Sequence, residues 1–243
     1  MTPAISHAFY PARWHSPRDG ATPIAIIAHG TAGRDSRAYL QRGGASPNGA
    51  DRKVSIHVLI QKDGTIYRMV DDERAAHHAG GVLLPDGTLS STLTIAGTTY
   101  RGHQINVRTL GFELENMQNG TDPYTDAQLL SMGWQIAAWR QRWGMLPVIR
   151  HATIDPGRRS DTRGLTVDQI EAWVQRAATN TPYRFRVAQV AFCDWELSGL
   201  APTAHAPHIW DAGTVVDVDA IRGNVAHAGP EGFVPLAVLE RRP

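Results

Sequence analysis

"IAIIAHG", residues 24–30, is the stretch on which the fold turns. Five consecutive apolar residues read as a buried strand. The run is far too short for the apolar region of a signal peptide or for a membrane span. It closes on His29, which therefore stands at a strand end, where α/β folds commonly display functional groups. The first thirty residues hold no longer apolar run. The expectation is a protein without an N-terminal signal peptide or membrane insertion, made in the cytoplasm.

Moving outward, "VSIHVLI" (54–60) places Val54, Ile56, Val58 and Ile60 on one face. "KDG" (62–64) then turns the chain into "TIYRMV" (65–70), which predicts a hairpin. "LGFELE" (110–115) sets Leu110, Phe112 and Leu114 against Gly111, Glu113 and Glu115, and "PVI" (147–149) is a candidate last strand. Two helices are announced by their start signals. Thr125 and Gln128 fit a capping box, followed by Leu129, Met132, Ile136 and Trp143 at helical spacing and Gly144 as a stop. "TVDQ" (166–169) repeats the device before Ile170, Trp173 and Ala177. Strands with helices packed on them argue α/β or α+β. The Gly-, Ser- and Thr-rich segment 81–105 reads as a surface loop.

Beyond "TNTPYR" (179–184), which reads as a linker, the pattern changes. "GTVVDVDAI" (213–221) and "GFVPLAVLE" (232–240) are β-type runs without helical period. The expected division is a catalytic domain over residues 1–178 and a small all-β module over 185–243. The 243 residues carry 24 basic and 23 acidic side chains, and all but two of the basic ones are arginine. A net charge of +1 offers no electrostatic case for nucleic-acid binding or for a polybasic membrane anchor. The single cysteine, Cys193, cannot form an internal bridge.

"RHATIDPGRRSD" (150–161) puts a second strand-end histidine, His151, ten residues before Asp161. The Pro156–Gly157 turn lets the chain reverse, so that Asp161 returns toward His151. Two histidines and a carboxylate with an open fourth position form the catalytic zinc pattern.

Here the chain resembles the zinc-dependent N-acetylmuramoyl-L-alanine amidases, a family that includes phage lysins, wall-recycling amidases and peptidoglycan recognition proteins. The matching stretches are "IAIIAHGTAG", "VSIHVLIQKDGTIYRMVDDERAAHHAG", "NVRTLGFELEN", "YTDAQ" and "RHATIDPGRRSD", in the family's order over roughly residues 22 to 176. The resemblance implies a mixed central β-sheet flanked by helices, one Zn²⁺ per chain, and cleavage of the amide between muramic acid and L-alanine. On it, His29, His151 and Asp161 match the zinc ligands and Glu113 an acid beside them. Asn106 and His78 match recurrent positions of the substrate groove, with His77 standing where relatives often carry an aromatic residue.

Two positions depart from the family's pattern. Arg159 replaces the lysine that many relatives carry two residues before the last ligand. Ile56 stands where many phage members have a tyrosine, and His57, which follows it, reads as a packed strand residue. A guanidinium stays protonated, so Arg159 can stabilise an oxyanion without shuttling a proton. Glu113 is then the expected general base. The C-terminal runs resemble bacterial SH3-like domains, which implies wall anchoring and, with it, a phage or prophage endolysin released onto peptidoglycan at lysis; a monomer is expected. The alternatives are a cytoplasmic amidase that recycles muropeptides and a non-catalytic peptidoglycan recognition module.

Overall fold

A computed structural model describes residues 7–45 and 51–179. C-terminal to these it describes the backbone of 183–187, 191–192, 209–210, 215–218, 220–222, 225–227, 233–235 and 239–241. The centre is a six-stranded sheet, in the order His7–Phe9, Ile66–Arg68, Val58–Ile60, Thr109–Leu114, Ala25–Gly30, Val148–Arg150. Only the hairpin pair Val58–Ile60 and Ile66–Arg68 is antiparallel; the other four pairings are parallel. The sheet is therefore mixed, as the resemblance implied.

The stretch 24–30 lies next to the far edge of this sheet, between Thr109–Leu114 and Val148–Arg150. Its alternate residues serve two cores. Ile26 and Ala28 join the large cluster under helices Asp126–Trp143 and Val167–Thr179. Ile27 enters a smaller cluster on the opposite face with Ala79, Leu93, Ile105 and Ile154. Burial on both faces is why the run shows no polar alternation. Leu110, Phe112 and Leu114 all fall in the large cluster, so the alternation read in "LGFELE" is observed.

The two long helices pack closely. A methyl group on Gly133 would come within 2.4 Å of the Trp173 carbonyl oxygen, so only glycine allows this approach. Arg140 bridges the pair, donating to both carboxylate oxygens of Glu171 at 2.6 and 2.7 Å. At the first helix Thr125 Oγ1 accepts from the Gln128 N–H, but the Gln128 side chain turns inward to the carbonyls of Ile60 and Glu115. At the second the box is reciprocal, through Thr166 Oγ1 and Gln169 Oε1.

Two local readings are corrected. Strand pairing of "VSIHVLI" is confined to Val58–Ile60, and Ile56 packs with Leu59, Met69 and Val70 rather than with Val58 and Ile60. Segment 81–105 is not wholly a loop. It holds a hairpin, Thr92–Ile95 with Thr98–Arg101, and the start of a helix, His103–Arg108. Ala96 and Gly97 both have positive φ, at 49° and 78°, as a two-residue hairpin turn of this hand requires. Alanine is an uncommon residue there, which hid the turn.

C-terminal to Thr179, Tyr183–Val187 pairs antiparallel with Val215–Val218 and Leu239–Arg241, and Val225–His227 lies between Ala220–Arg222 and Phe233–Pro235. The first of these strands begins inside the stretch read as a linker. No described helix is long and apolar enough to cross a membrane.

Candidate metal centre

Parallel pairing sets the site. Glu113 and His29 are register partners on neighbouring strands, so both side chains leave the same face of the sheet. Strand Val148–Arg150 pairs with Ile26–Ala28 from the other side and delivers His151 just past its end, as the first residue of a helical turn, His151–Ile154. The chain then reverses. The N–H groups of Arg158 and Arg159 donate to the Asp155 carbonyl, and Ala152 N–H donates to the Asp161 carbonyl at 2.9 Å. Asp161 thereby returns to His151, as the Pro-Gly turn suggested.

His29 Nδ1 lies 2.9 Å from His151 Nδ1 and 3.6 Å from Asp161 Oδ2, and His151 Nδ1 lies 3.2 Å from the same oxygen. Nitrogen and oxygen ligands about 2.0–2.2 Å from a tetrahedral ion stand roughly 3.3–3.5 Å apart. The triangle fits that spacing within a few tenths of an ångström. All three residues are buried, and together they could hold a metal ion. Glu113 Oε2 stands 3.9 Å from His29 Nδ1, with 17% of its side chain still exposed.

The electrostatics follow from burial. His29 is lowered to about 4 by desolvation and then by His151, so it is neutral at pH 7, as a ligand must be. Glu113 is raised to about 8, first by desolvation and then by the charge of Asp161, with Arg159 opposing. Desolvation would raise Asp161 too, but its close contacts with the His151 and His29 imidazoles outweigh it and hold the carboxylate well below its ordinary range.

Arg159 is exposed at the rim, and its charge reaches both His29 and Glu113. His78 and His77 part company. His78 Nδ1 meets His29 Nε2 at 2.8 Å, whereas His77 turns to Ser16 Oγ at 3.2 Å and packs edge-on to His103. Asn106 is buried, and its Oδ1 accepts from the N–H groups of His78 and Ala79. His57 is fully buried; its Nδ1 accepts from Gly111 N–H, and it lies 2.9 Å from the Arg18 guanidinium.

Sequence reasoning passed over the residues that hold these groups. Gln118 donates to Tyr124 Oη and accepts from Arg163 N–H, joining the two loops beside the triangle. Gly30 makes room for it, since a Cβ there would overlap Gln118 Nε2. A glycine directly after a strand-end histidine was the available signal. Between these loops opens a cleft of about 350 Å³, lined by Tyr124, Leu165 and Trp173 among others.

Residues 19–163 match the family model described as N-acetylmuramoyl-L-alanine amidase. The chain belongs to this family of peptidoglycan-degrading amide hydrolases. A search of curated proteins found no match. Among solved structures, a selenomethionine derivative of AmpD aligns at a TM-score of 0.54 with 23% identity, over 70% of this chain and 93% of that one. The amidase AmiD from E. coli, in complex with an anhydro-N-acetylmuramic acid peptide, aligns at 0.47 with 24% identity, over 71% and 68%. The amidase LysC from Clostridium intestinale URNW aligns at 0.46 with 21% identity, over 72% and 99%.

Proposed function

We propose that the chain is a zinc-dependent N-acetylmuramoyl-L-alanine amidase that acts on intact peptidoglycan as a phage or prophage endolysin, and that His29, His151 and Asp161 are its zinc ligands. The observation that carries the metal reading is the buried triangle with Glu113 beside it. Two imidazole nitrogens and one carboxylate oxygen suit zinc and leave a coordination position open. Zinc bound there would polarise the scissile carbonyl and acidify a water molecule.

The chain's own residues supply the rest. Glu113, its carboxyl raised to about 8 and so close to the working pH, in its ionised form takes a proton from the attacking water and returns one to the departing alanine nitrogen. Arg159 keeps a full positive charge at the rim and stabilises the oxyanion that develops on the lactyl carbonyl. Asn106, by fixing the backbone of His78 and Ala79, shapes the floor of the substrate groove, and His77 and His78 border it.

The endolysin role rests on the sequence of residues 185–243, whose resemblance to SH3-like modules supports wall anchoring by a separate domain. An amidase confined to small soluble muropeptides has little use for an anchor. Digestion of purified sacculi, with mass analysis of the released stem peptides, tests the reaction and the substrate together. Release of free stem peptides beginning in L-alanine is expected. Metal analysis should find one zinc per chain, and chelation should stop turnover until zinc is restored. Activity undiminished by complete metal removal would overturn the mechanism. His29→Ala, His151→Ala and Asp161→Ala should each abolish turnover.

A further inference from the structure

We propose that His78 and Thr109 are positioning residues of the metal centre, joined in a directed chain of hydrogen bonds that fixes the tautomer of His29. The inference rests on the reading of His29 as a ligand, and it adds a device behind that ligand.

The direction of the chain can be worked out from its far end. Thr109 is fully buried, and its hydroxyl has one proton, which it donates to the Ile105 carbonyl at 2.8 Å. Toward His78 Nε2, 3.2 Å away, the same oxygen can then act only as acceptor. His78 therefore carries its proton on Nε2 and presents a bare Nδ1. The partners of the His78 ring nitrogens are the Thr109 hydroxyl and the His29 imidazole, neither of them an anion, so the ring carries a single proton and Nδ1 is left without one. The bare Nδ1 stands 2.8 Å from His29 Nε2 and must accept from it. That leaves His29 Nδ1 with a free lone pair, aimed at His151 and Asp161. A carbonyl three hydrogen bonds away from His29 thus decides which of its nitrogens is offered to the cation.

The scaffold is built around this contact. A Cβ at position 111 would lie 2.6 Å from His78 Nδ1, so Gly111 leaves the space in which the ring sits against the sheet. Asn106 holds the backbone of His78 and Ala79, and Arg18 donates to the Thr109 carbonyl at 2.9 Å. Both ends of the relay are therefore fixed from behind. Partners of this kind orient a ligand and raise its basicity, and their loss typically costs about 10- to 100-fold in metal affinity.

The test combines zinc affinity with a direct view of the ring. In metal-free protein, imidazole ¹⁵N spectra should report His29 as the Nε2–H tautomer. Zinc affinity, measured by competition with a chelator, should fall about 10- to 100-fold in His78→Phe. Thr109→Val, which keeps shape and removes the acceptor, should weaken zinc binding and mix the His29 tautomers, while Thr109→Ser should restore both. The absorption spectrum of the Co²⁺-substituted protein should broaden in Thr109→Val and recover in Thr109→Ser. Wild-type affinity and an unchanged tautomer in His78→Phe and Thr109→Val would overturn the relay. Equal losses in Thr109→Val and Thr109→Ser would overturn it too, by assigning the effect to packing. If His29→Ala bound zinc as tightly as wild type, the ligand assignment itself would fall.

Discussion

Glu113 and His29 stand side by side, and burial favours the neutral form of both by opposite routes, so that the ionised, basic form of Glu113 grows as pH rises toward about 8 while His29 is already unprotonated. Turnover is therefore expected to be sensitive to Glu113→Gln, which removes the proposed base with little change of shape. Arg159→Ala should lose roughly 10²–10³ in turnover, the scale of one oxyanion-stabilising group, while Arg159→Lys should keep much of it. pH–rate profiles with zinc content checked in each variant decide this. Near wild-type turnover in Arg159→Ala would reduce Arg159 to a rim residue.

Stability of the chelated protein gives a second reading of the same groups. His29, His57 and His78 have lowered folded values, so their contribution grows as pH rises toward the unfolded value of 6.5 and is level above it. Glu113 runs the other way: with a folded value near 8 against 4.5 unfolded, its contribution is lost progressively as pH rises to about 8. Between pH 6.5 and 8 the thermal midpoint of the chelated protein should decline, and Glu113→Gln should flatten the decline. A decline that persists in the variant would assign it to other groups.

At the scale of elements, the helices and sheet strands were legible because each writes its own period and its own caps. Thr166 and Gln169 reciprocate as their spacing indicated, and Thr125 caps as expected. Gln128 did not follow, because a buried glutamine beside the carbonyls of Ile60 and Glu115 has better partners than its own helix end. The 92–101 hairpin escaped notice for a local reason: its turn spends a positive φ on Ala96. Contacts made through space, such as His78 against His29 or Gln118 against Gly30, leave no period at all, so the residues that hold the site were the least readable. Gly133 is a testable case. Gly133→Ala gains helix propensity but forces a methyl into the Trp173 backbone, and overpacking should win by about 1–3 kcal/mol. Denaturant unfolding should show it, and an unchanged midpoint would mean that the helices can separate without penalty.

On the scale of the whole molecule, the family match ends at residue 163 and both long helices end by Thr179. A chain ending at residue 179 should therefore fold, stay soluble and hydrolyse small muropeptides, while its sedimentation with whole sacculi weakens. If that truncated chain is insoluble, the C-terminal strands belong to the packing of the core and the anchoring role loses its support.

The metal triangle was legible because two of its corners end strands, yet those corners lie 122 residues apart, and the third follows ten residues later. This separation has a consequence for synthesis on the ribosome. His29 leaves the exit tunnel early, but no second corner follows until most of the residues matched by the family have been made. Until His151 emerges, the nascent chain offers a cation only one of the three proposed ligands. On the zinc reading, loading would therefore come last, after the strands that carry the corners have emerged.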